Sequence, residues 1–119
     1  MTTIGDFNKT IQEFLNDLSD IYPEHKGIIK EKIKYEVGIR SNCRLAFDNV
    51  MPYLLRYSKE IIKKDDSVLE SVNHSFQNIN LVEIWNKKET TLSIKETIWK
   101  YLNTILTIGT YISFAHNSF

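Results

Sequence analysis

The longest periodic segment of the chain runs from Ser93 to Phe114, and it constrains the fold more than any other stretch. Its apolar positions recur at the spacing of one helical face and comprise Ile94, Ile98, Leu102, Ile105, Gly109 and Ile112. Ser93 and Glu96 have the spacing of a capping box, so we expect the helix to begin at Ser93. Gly109 lies within the apolar face, where glycine costs a helix roughly 1 kcal/mol relative to alanine. We therefore expect another helix to approach closely at Gly109.

Two further stretches have a clear helical pattern. In residues 4–22 the apolar side chains fall on one stripe, Asp6 is suited to be a cap or first-turn acid, and Pro23 ends the helix. Residues 42–64 repeat apolar side chains at helical spacing on both sides of Pro52. Because proline removes a hydrogen bond and clashes with the preceding turn, we expect a kink or a restart at Pro52, with both halves helical.

The segment between these two helices has an ambiguous pattern. We expect a helix that begins near Glu24 or His25 and that is ended by Gly38 or broken by the Ser41-Asn42 pair, which could instead cap the next helix. Its periodicity allows two alternatives for the one buried side, which is supplied either by Ile28, Ile29, Ile33 and Val37 or by Tyr35 and Ile39. Its basic edge consists of Lys26, Lys30 and Lys34.

Short elements fill the interval before the last helix. They are a turn and cap at 65–67, one or two helical turns at 68–72, a loop at 74–80, a short helix at 81–85 capped by Asn80, and a polar connector at 86–90. With the long segments they predict an all-α fold, a compact bundle of four to five main helices plus short helical turns. The first and last helices are expected to supply most of the core. We expect a single domain over residues 1–119, as is usual for this length.

Composition supports a globular protein. The chain is 42% hydrophobic and 25% charged, which is ordinary for a folded domain. A membrane-spanning helix needs about 20 mostly apolar residues, and Lys100 and Asn103 interrupt the only stretch of that length, so we expect no membrane span. The N-terminal region is interrupted by charged residues, and no signal peptide is expected.

Charge is distributed unevenly although the formal net charge is zero. The middle of the chain is basic, and its basic residues between positions 26 and 44 include Lys26, Lys30, Lys34, Arg40 and Arg44. Charges of this kind are what phosphate contacts require, so these five residues form a candidate nucleic-acid-binding surface. A neutral net charge is unlike that of most nucleic-acid-binding domains. The simpler interpretation is that the basic middle packs beside acidic neighbours.

The sequence contains no recognisable metal, cofactor or catalytic motif. The three histidines are single and far apart: His25, His74 and His116. Their spacing matches no zinc or calcium pattern, so no metal or cofactor is expected. Asp65 and Asp66 are expected to open a helix rather than to hold a divalent ion. We therefore predict a non-enzymatic protein.

Cys43 is the only cysteine, which makes an intramolecular disulfide impossible and favours a reducing compartment. We expect it to be a small core residue. The alternative is a thiol whose acidity is increased by Arg40 and Arg44.

Aromatic residues concentrate near the C-terminus, at Trp85, Trp99, Tyr101, Tyr111 and Phe114. Aromatic side chains dominate binding hot spots, so Trp85, Trp99 and Tyr111 are candidate protein-binding residues. The same residues are equally suited to pack together in the C-terminal core. Both interpretations stay open at this point.

Four segments together resemble a known group of proteins: F-N-K-T-I-Q-E-F-L-N-D-L through Y-P-E (Phe7 to Glu24), K-D-D-S-V-L-E (Lys64 to Glu70), I-W (Ile84 and Trp85), and above all I-K-E-T-I-W-K-Y-L-N-T-I-L (Ile94 to Leu106). The combination resembles small helical proteins encoded by nucleocytoplasmic large DNA viruses, the giant viruses of protists and algae. Tyr22-Pro23 stands where that group usually has phenylalanine-proline. The resemblance implies a viral protein in the host cytoplasm or the virion, and it supplies no catalytic residue.

These observations lead to two functional expectations. The first is a non-enzymatic protein that binds a viral or host protein, or that is a minor structural component of the virion. The second is a nucleic-acid-associated protein that uses the basic 26–44 segment. Gly109 and the hydroxyl-rich face of the last helix also allow self-association.

Overall fold

The computed structural model describes residues 2–116, which contain four long and three short α-helices. They are α1 (Ile4–Ile21), α2 (Lys26–Ser41), α3 (Leu45–Arg56), α4 (Ser58–Ile62), α5 (Leu69–Val72), α6 (Leu81–Trp85) and α7 (Leu92–His116). A 3-10 helix, Asp66–Val68, precedes α5. No strand occurs within this part of the chain, and the predicted all-α bundle is confirmed.

Helix α1 lies at the centre of the bundle and packs against α2, α3 and α7, while α7 also packs against α3 and α4. Its buried stripe of Phe7, Ile11, Phe14, Leu15 and Leu18 was predicted from the sequence, but Ile21, predicted to continue the stripe, is 38% exposed. Helix α3 contributes as many buried apolar residues as α1, namely Ala46, Phe47, Val50, Met51 and Leu54. The core is therefore shared among α1, α3 and α7, and the expectation that the first and last helices supply most of it is wrong.

The close approach predicted at Gly109 is confirmed. A Cβ atom added to Gly109 would lie 2.2 Å from the sulfur of Met51, which belongs to α3. Glycine at this position of α7 thus makes room for a side chain of α3.

Local capping signals fix several helix starts. Thr3 and Asp6 form a reciprocal capping box at the start of α1, with the Thr3 N–H donating to Asp6 Oδ2 at 2.8 Å. The predicted cap of α6 is also confirmed, because Asn80 Oδ1 accepts from the Glu83 N–H at 3.1 Å. The predicted cap of α7, Ser93, is wrong by two residues. Thr91 caps that helix through its Oγ1, which accepts from the Ile94 N–H at 3.2 Å.

Glu96 has a different role from the one predicted. Its carboxylate lies 2.7 Å from Lys64 Nζ, in an exposed ion pair that joins the turn after α4 to α7. The Ser93–Glu96 capping box is therefore absent, because the helix starts before Ser93 and Glu96 points toward a lysine from another element.

Both halves of the segment around Pro52 are helical, as predicted, but the helix does not restart at Pro52. Helix α3 continues through Pro52 to Arg56, and the chain leaves the helix at Tyr57 before α4 begins. Pro52 itself is exposed, whereas Met51 and Leu54 on either side are fully buried. We attribute the continuity to this burial, which stabilises both halves against the loss of one hydrogen bond.

Candidate interaction surface on α2

Helix α2 turns a different face inward from the one that its aliphatic residues suggest. Ile28, Glu31 and Tyr35 have no exposed surface, so the buried face is the one that contains Tyr35. Ile33 and Val37 are 53% and 59% exposed, and Ile29 is 38% exposed. The expectation that Ile29, Ile33 and Val37 line the buried side is therefore wrong.

A close backbone contact explains part of this orientation. Gly27, in the first turn of α2, lies against Asn78 in the segment between α5 and α6. A Cβ on Gly27 would be 1.9 Å from the Asn78 carbonyl oxygen, so no larger residue fits without movement of the backbone. This contact fixes which side of the N-terminal turn of α2 faces the protein.

A buried carboxylate, that of Glu31, accounts for the remainder of the orientation of α2. Glu31 Oε1 accepts hydrogen bonds from the Asn78 backbone N–H at 3.2 Å and from Asn78 Nδ2 at 2.6 Å. It also lies 3.2 Å from Lys34 Nζ. Rotation of α2 would break both hydrogen bonds from Asn78 to Glu31 and leave the Asn78 N–H unpaired, which costs free energy. We call Gly27, Glu31 and Asn78 the Asn78 clamp; it holds the aliphatic residues of α2 on the outside.

The outward-facing residues form a continuous surface, which we call the outer face of α2. It consists of Lys26, Ile29, Lys30, Ile33, Val37 and Arg40. At 100° per residue these six positions fall within an arc of about 100° on the helix. Ile33 and Val37 lie near the middle of the arc, and Lys30 and Arg40 lie toward its two sides. The half-buried Glu36 borders the face beyond Ile29.

The predicted basic set divides into two groups in the structure. Lys26, Lys30 and Arg40 are exposed and form no ion pair with any residue between 2 and 116. Lys34 pairs with Glu31, and its Nζ lies 4.8 Å from the centre of the Tyr35 ring. Arg44 is the other member of this second group, whose cations each pair with an acidic residue. The structure therefore brings only three of the five predicted residues together as free cations.

Arg44 lies in the turn between α2 and α3 and has local partners. Its guanidinium is 3.7 Å from Asp48 Oδ1 and 4.7 Å from the centre of the Phe47 ring. These contacts hold Arg44 against α3 rather than beside the outer face of α2. Arg44 is thus part of the packing of the turn.

The buried Tyr35 gives α2 a pH dependence. Burial and the nearby Glu31 carboxylate raise the pKa of Tyr35 from 10.0 to about 12. The buried Tyr35 hydroxyl has no hydrogen-bond partner within residues 2–116. The folded protein keeps the Tyr35 proton to a higher pH than the unfolded chain does. The contribution of Tyr35 to the free energy of unfolding is therefore fully present below pH 10 and is lost as the pH rises from 10 to 12.

We expect Tyr35→Phe to reduce this alkaline loss of stability, since phenylalanine has no proton to lose. Urea unfolding at neutral pH and at several values between pH 9 and pH 12 measures the difference. The free energy of unfolding of the wild-type protein should fall more steeply than that of Tyr35→Phe, by up to about 2 kcal/mol at the alkaline end. Parallel curves would contradict the assignment.

The aromatic candidates do not form one surface. Trp85 and Trp99 are 8% and 3% exposed, and their rings meet edge to face with centres 5.5 Å apart. Trp85 Nε1 donates to Asp66 Oδ2 at 3.3 Å. Tyr111 is half exposed and lies more than three turns further along α7. Burial favours the core interpretation for the two tryptophans and leaves Tyr111 as the accessible member of the set.

Cys43 lies in the turn between α2 and α3 and is exposed, so the expectation that it is a core residue is wrong. The core contact at this turn is made by the backbone, because the Cys43 carbonyl accepts from Asn8 Nδ2 at 2.9 Å. The thiol therefore points away from the packed interior.

The histidines and the Asp65–Asp66 pair have separate local contacts. His25 Nδ1 accepts from the Ile28 N–H and caps α2, whereas His74 stacks on Tyr53 with ring centres 5.2 Å apart. The side chain of His116 lies outside the described part of the structure. Asp65 Oδ1 accepts from the Ser67 N–H at 3.0 Å, which confirms the predicted cap.

Residues 2–116 contain no group of three or more His, Cys, Asp or Glu side chains arranged to hold a metal ion. The same residues contain no helix that is long and apolar enough to cross a membrane. No protein-family model, no curated protein and no solved structure matches this chain. The outer face of α2 is thus interpreted from its own chemistry.

Proposed function

We propose that this protein is a non-enzymatic interaction protein and that the outer face of α2 is its docking surface. The observation that carries the proposal is the orientation of α2, which buries Glu31 and exposes Ile33 and Val37. Burying a carboxylate costs free energy, and exposing aliphatic side chains forgoes roughly 25 cal/mol for every Å² left in water. Single exposed aliphatic residues are common, but an aligned row of them is typical of a binding surface.

The resemblance to giant-virus proteins extends the proposal to the partner and its location. The partner is then a viral or host protein, encountered in the host cytoplasm or in the virion, where this chain would be a minor structural component. Detection of the chain in purified virions by mass spectrometry, in a fixed ratio to a capsid or core protein, would support the structural role. Its absence from virions would favour an adaptor in the infected cell.

A nucleic-acid-associated role is the alternative. Three unpaired cations, Lys26, Lys30 and Arg40, support it. Ile33 and Val37 lie between Lys30 and Arg40 on the same face, however, and aliphatic side chains offer nothing to phosphate oxygens. A protein partner uses both the apolar and the basic residues, and for that reason it is the preferred proposal.

We expect Ile33→Glu to weaken partner binding by about tenfold or more while changing the melting temperature by less than about 2 °C. The side chain is more than half exposed, so a glutamate at this position is solvated in the free protein. Ile62→Glu is the matched control, because Ile62 is a 64% exposed isoleucine on α4. It should leave binding unchanged.

A photo-crosslinking amino acid placed at position 33 identifies the partner in cells that produce the protein. The expected result is one protein adduct from position 33 and none from position 62, followed by affinity measurements on the purified pair. The same adduct from both positions, or an affinity that Ile33→Glu leaves intact, would show that the outer face of α2 is not the docking surface. An adduct with nucleic acid alone would favour the alternative.

A further inference from the structure

We propose that the occupant of the outer face of α2 is an acidic amphipathic helix of a partner protein. This inference rests on the proposed docking function and deepens it by specifying the chemistry of the partner. It follows from two properties of the face: the narrow row in which its aliphatic side chains are arranged, and the unpaired cations on either side of that row.

The aliphatic row has the dimensions of a helix–helix contact. Ile29, Ile33 and Val37 are spaced four residues apart, and they therefore form one ridge along α2. At 1.5 Å per residue the ridge is about 12 Å long, close to two helical turns. A single ridge of this kind fits the groove between two ridges of a facing helix, which buries all three side chains at once.

The cations supply the charge preference. Lys30 flanks the row on one side and Arg40 flanks it on the other. Lys26 lies on the same side as Lys30, one turn closer to the N-terminus of α2. None of the three pairs with an acidic residue within the described structure. A facing helix with carboxylates beside its apolar stripe would pair with them from both sides, whereas a basic helix would be repelled.

A second copy of the chain does not provide such a helix. Two α2 faces packed together would bring the lysines and arginines of both copies into one interface. Helix α1 does expose carboxylates, at Glu13, Asp17 and Asp20, but its long apolar stripe is buried in the core. Its exposed face therefore has no apolar row to receive Ile33.

A lipid surface fits the outer face less well than a helix does. Helices that lie in a membrane interface bury a broad apolar face, commonly with aromatic residues, and keep their cations at its edges. Here the apolar row is one residue wide and contains no aromatic side chain. The geometry of a narrow, flanked ridge is that of a pairing between two helices.

The test is a selection from displayed helical peptides. Three-heptad peptides with leucine or isoleucine at the two seam positions and random Glu, Lys, Gln or Ser at the flanking positions would be selected on the immobilised full-length protein. We expect the selected peptides to be enriched in glutamate at the flanking positions. Their binding should weaken by about tenfold or more in the double variant Lys30→Glu/Arg40→Glu and also as salt is raised.

The variants distinguish the possible failures. Peptides that lose binding in Ile33→Glu but show no preference for glutamate would overturn the acidic partner and keep the docking surface. Peptides that bind Ile33→Glu as well as they bind the wild-type protein, or a selection that yields no binder, would overturn both. Lys59→Glu/Lys88→Glu, at two exposed lysines that form no ion pair within residues 2–116, is the control for net charge, and it should leave binding by the selected peptides unchanged.

Two further measurements use the same proteins. Sedimentation with vesicles of phosphatidylserine and phosphatidylcholine should leave the protein in solution, and binding that requires Ile33 would overturn the inference in favour of a lipid surface. Analytical ultracentrifugation should show a monomer. A dimer that Ile33→Glu dissociates would assign the face to a second copy instead.

Discussion

Gly27→Ala is expected to lower the free energy of unfolding by about 3 kcal/mol. The added Cβ would lie 1.9 Å from the Asn78 carbonyl oxygen, far inside van der Waals contact. A backbone oxygen cannot rotate away as the end of a side chain can, so α2 and the Asn78 segment must separate. That separation lengthens the hydrogen bonds from Asn78 to Glu31 and leaves a buried carboxylate with fewer donors.

Gly5→Ala is the matched control for this substitution. Gly5 lies in the first turn of α1, and a Cβ there would meet only Thr3 Oγ1 at 3.4 Å, an ordinary contact. Alanine has the higher helix propensity, so Gly5→Ala should leave stability unchanged or raise it by up to about 1 kcal/mol. Urea unfolding of the two variants and the wild-type protein gives the comparison. Equal stabilities for all three would show that the contact at Gly27 relaxes without cost.

Phe14→Ala is expected to have the largest effect, a loss of about 4 kcal/mol of unfolding free energy. Phe14 is 1% exposed and belongs to α1, the helix at the centre of the bundle. Its ring centre lies 5.5 Å from that of Phe76, which precedes α6, and 5.2 Å from that of Tyr101 in α7. Alanine would leave a cavity between three separate parts of the chain, and the aromatic contacts would be lost with it.

Ile21→Ala on the same helix is the comparison for Phe14→Ala. Ile21 is 38% exposed at the end of α1, so its truncation should cost no more than about 1 kcal/mol. Both variants are measured by urea unfolding monitored by circular dichroism. A loss for Phe14→Ala that is as small as the loss for Ile21→Ala would mean that the core around α1 collapses to fill the space.

The parts of the fold that were predicted correctly are those specified by neighbouring residues. The buried stripe of α1 follows from a strong period, Asp6 is the first-turn acid of that helix, and the caps at Asp65 and Asn80 each use a side chain two or three residues from its donor. The predicted start of α7 is two residues too late because Thr91 and Ser93 are both suitable caps. A choice between two equivalent local signals requires the positions of the neighbouring elements.

The orientation of α2 could not be predicted because its cause is distant in the sequence. Glu31 is held by Asn78, which is 47 residues away, and a buried glutamate in an otherwise aliphatic and basic helix is the less expected arrangement. Gly27 is the one residue of α2 whose type indicates the contact with Asn78. Like Gly109, it is a glycine inside a helix at a point where another segment approaches closely.

The candidate docking surface was therefore identified only in part. The charge pattern predicts Lys26, Lys30 and Arg40, whereas Ile33 and Val37 belong to one of two alternatives for the buried side of α2. Without Ile33 and Val37 the predicted set describes a phosphate-binding surface rather than a mixed one. Trp85 and Trp99, in contrast, are candidate binding residues by sequence but are buried in the structure. An aromatic residue favours the core and an interface alike, and only the observed burial of Trp85 and Trp99 separates the two.

The Asn78 clamp also couples the two sides of α2. The residues available to a partner lie on the front of the helix, while the residues that hold the helix in place lie directly behind them and bond to the segment between α5 and α6. A helix held in this way is expected to open together with that segment as one cooperative unit in native-state hydrogen exchange. A partner that binds the front would then slow exchange at the Asn78 amide on the opposite side, and occupancy of the surface would be communicated to α6 without any change of shape.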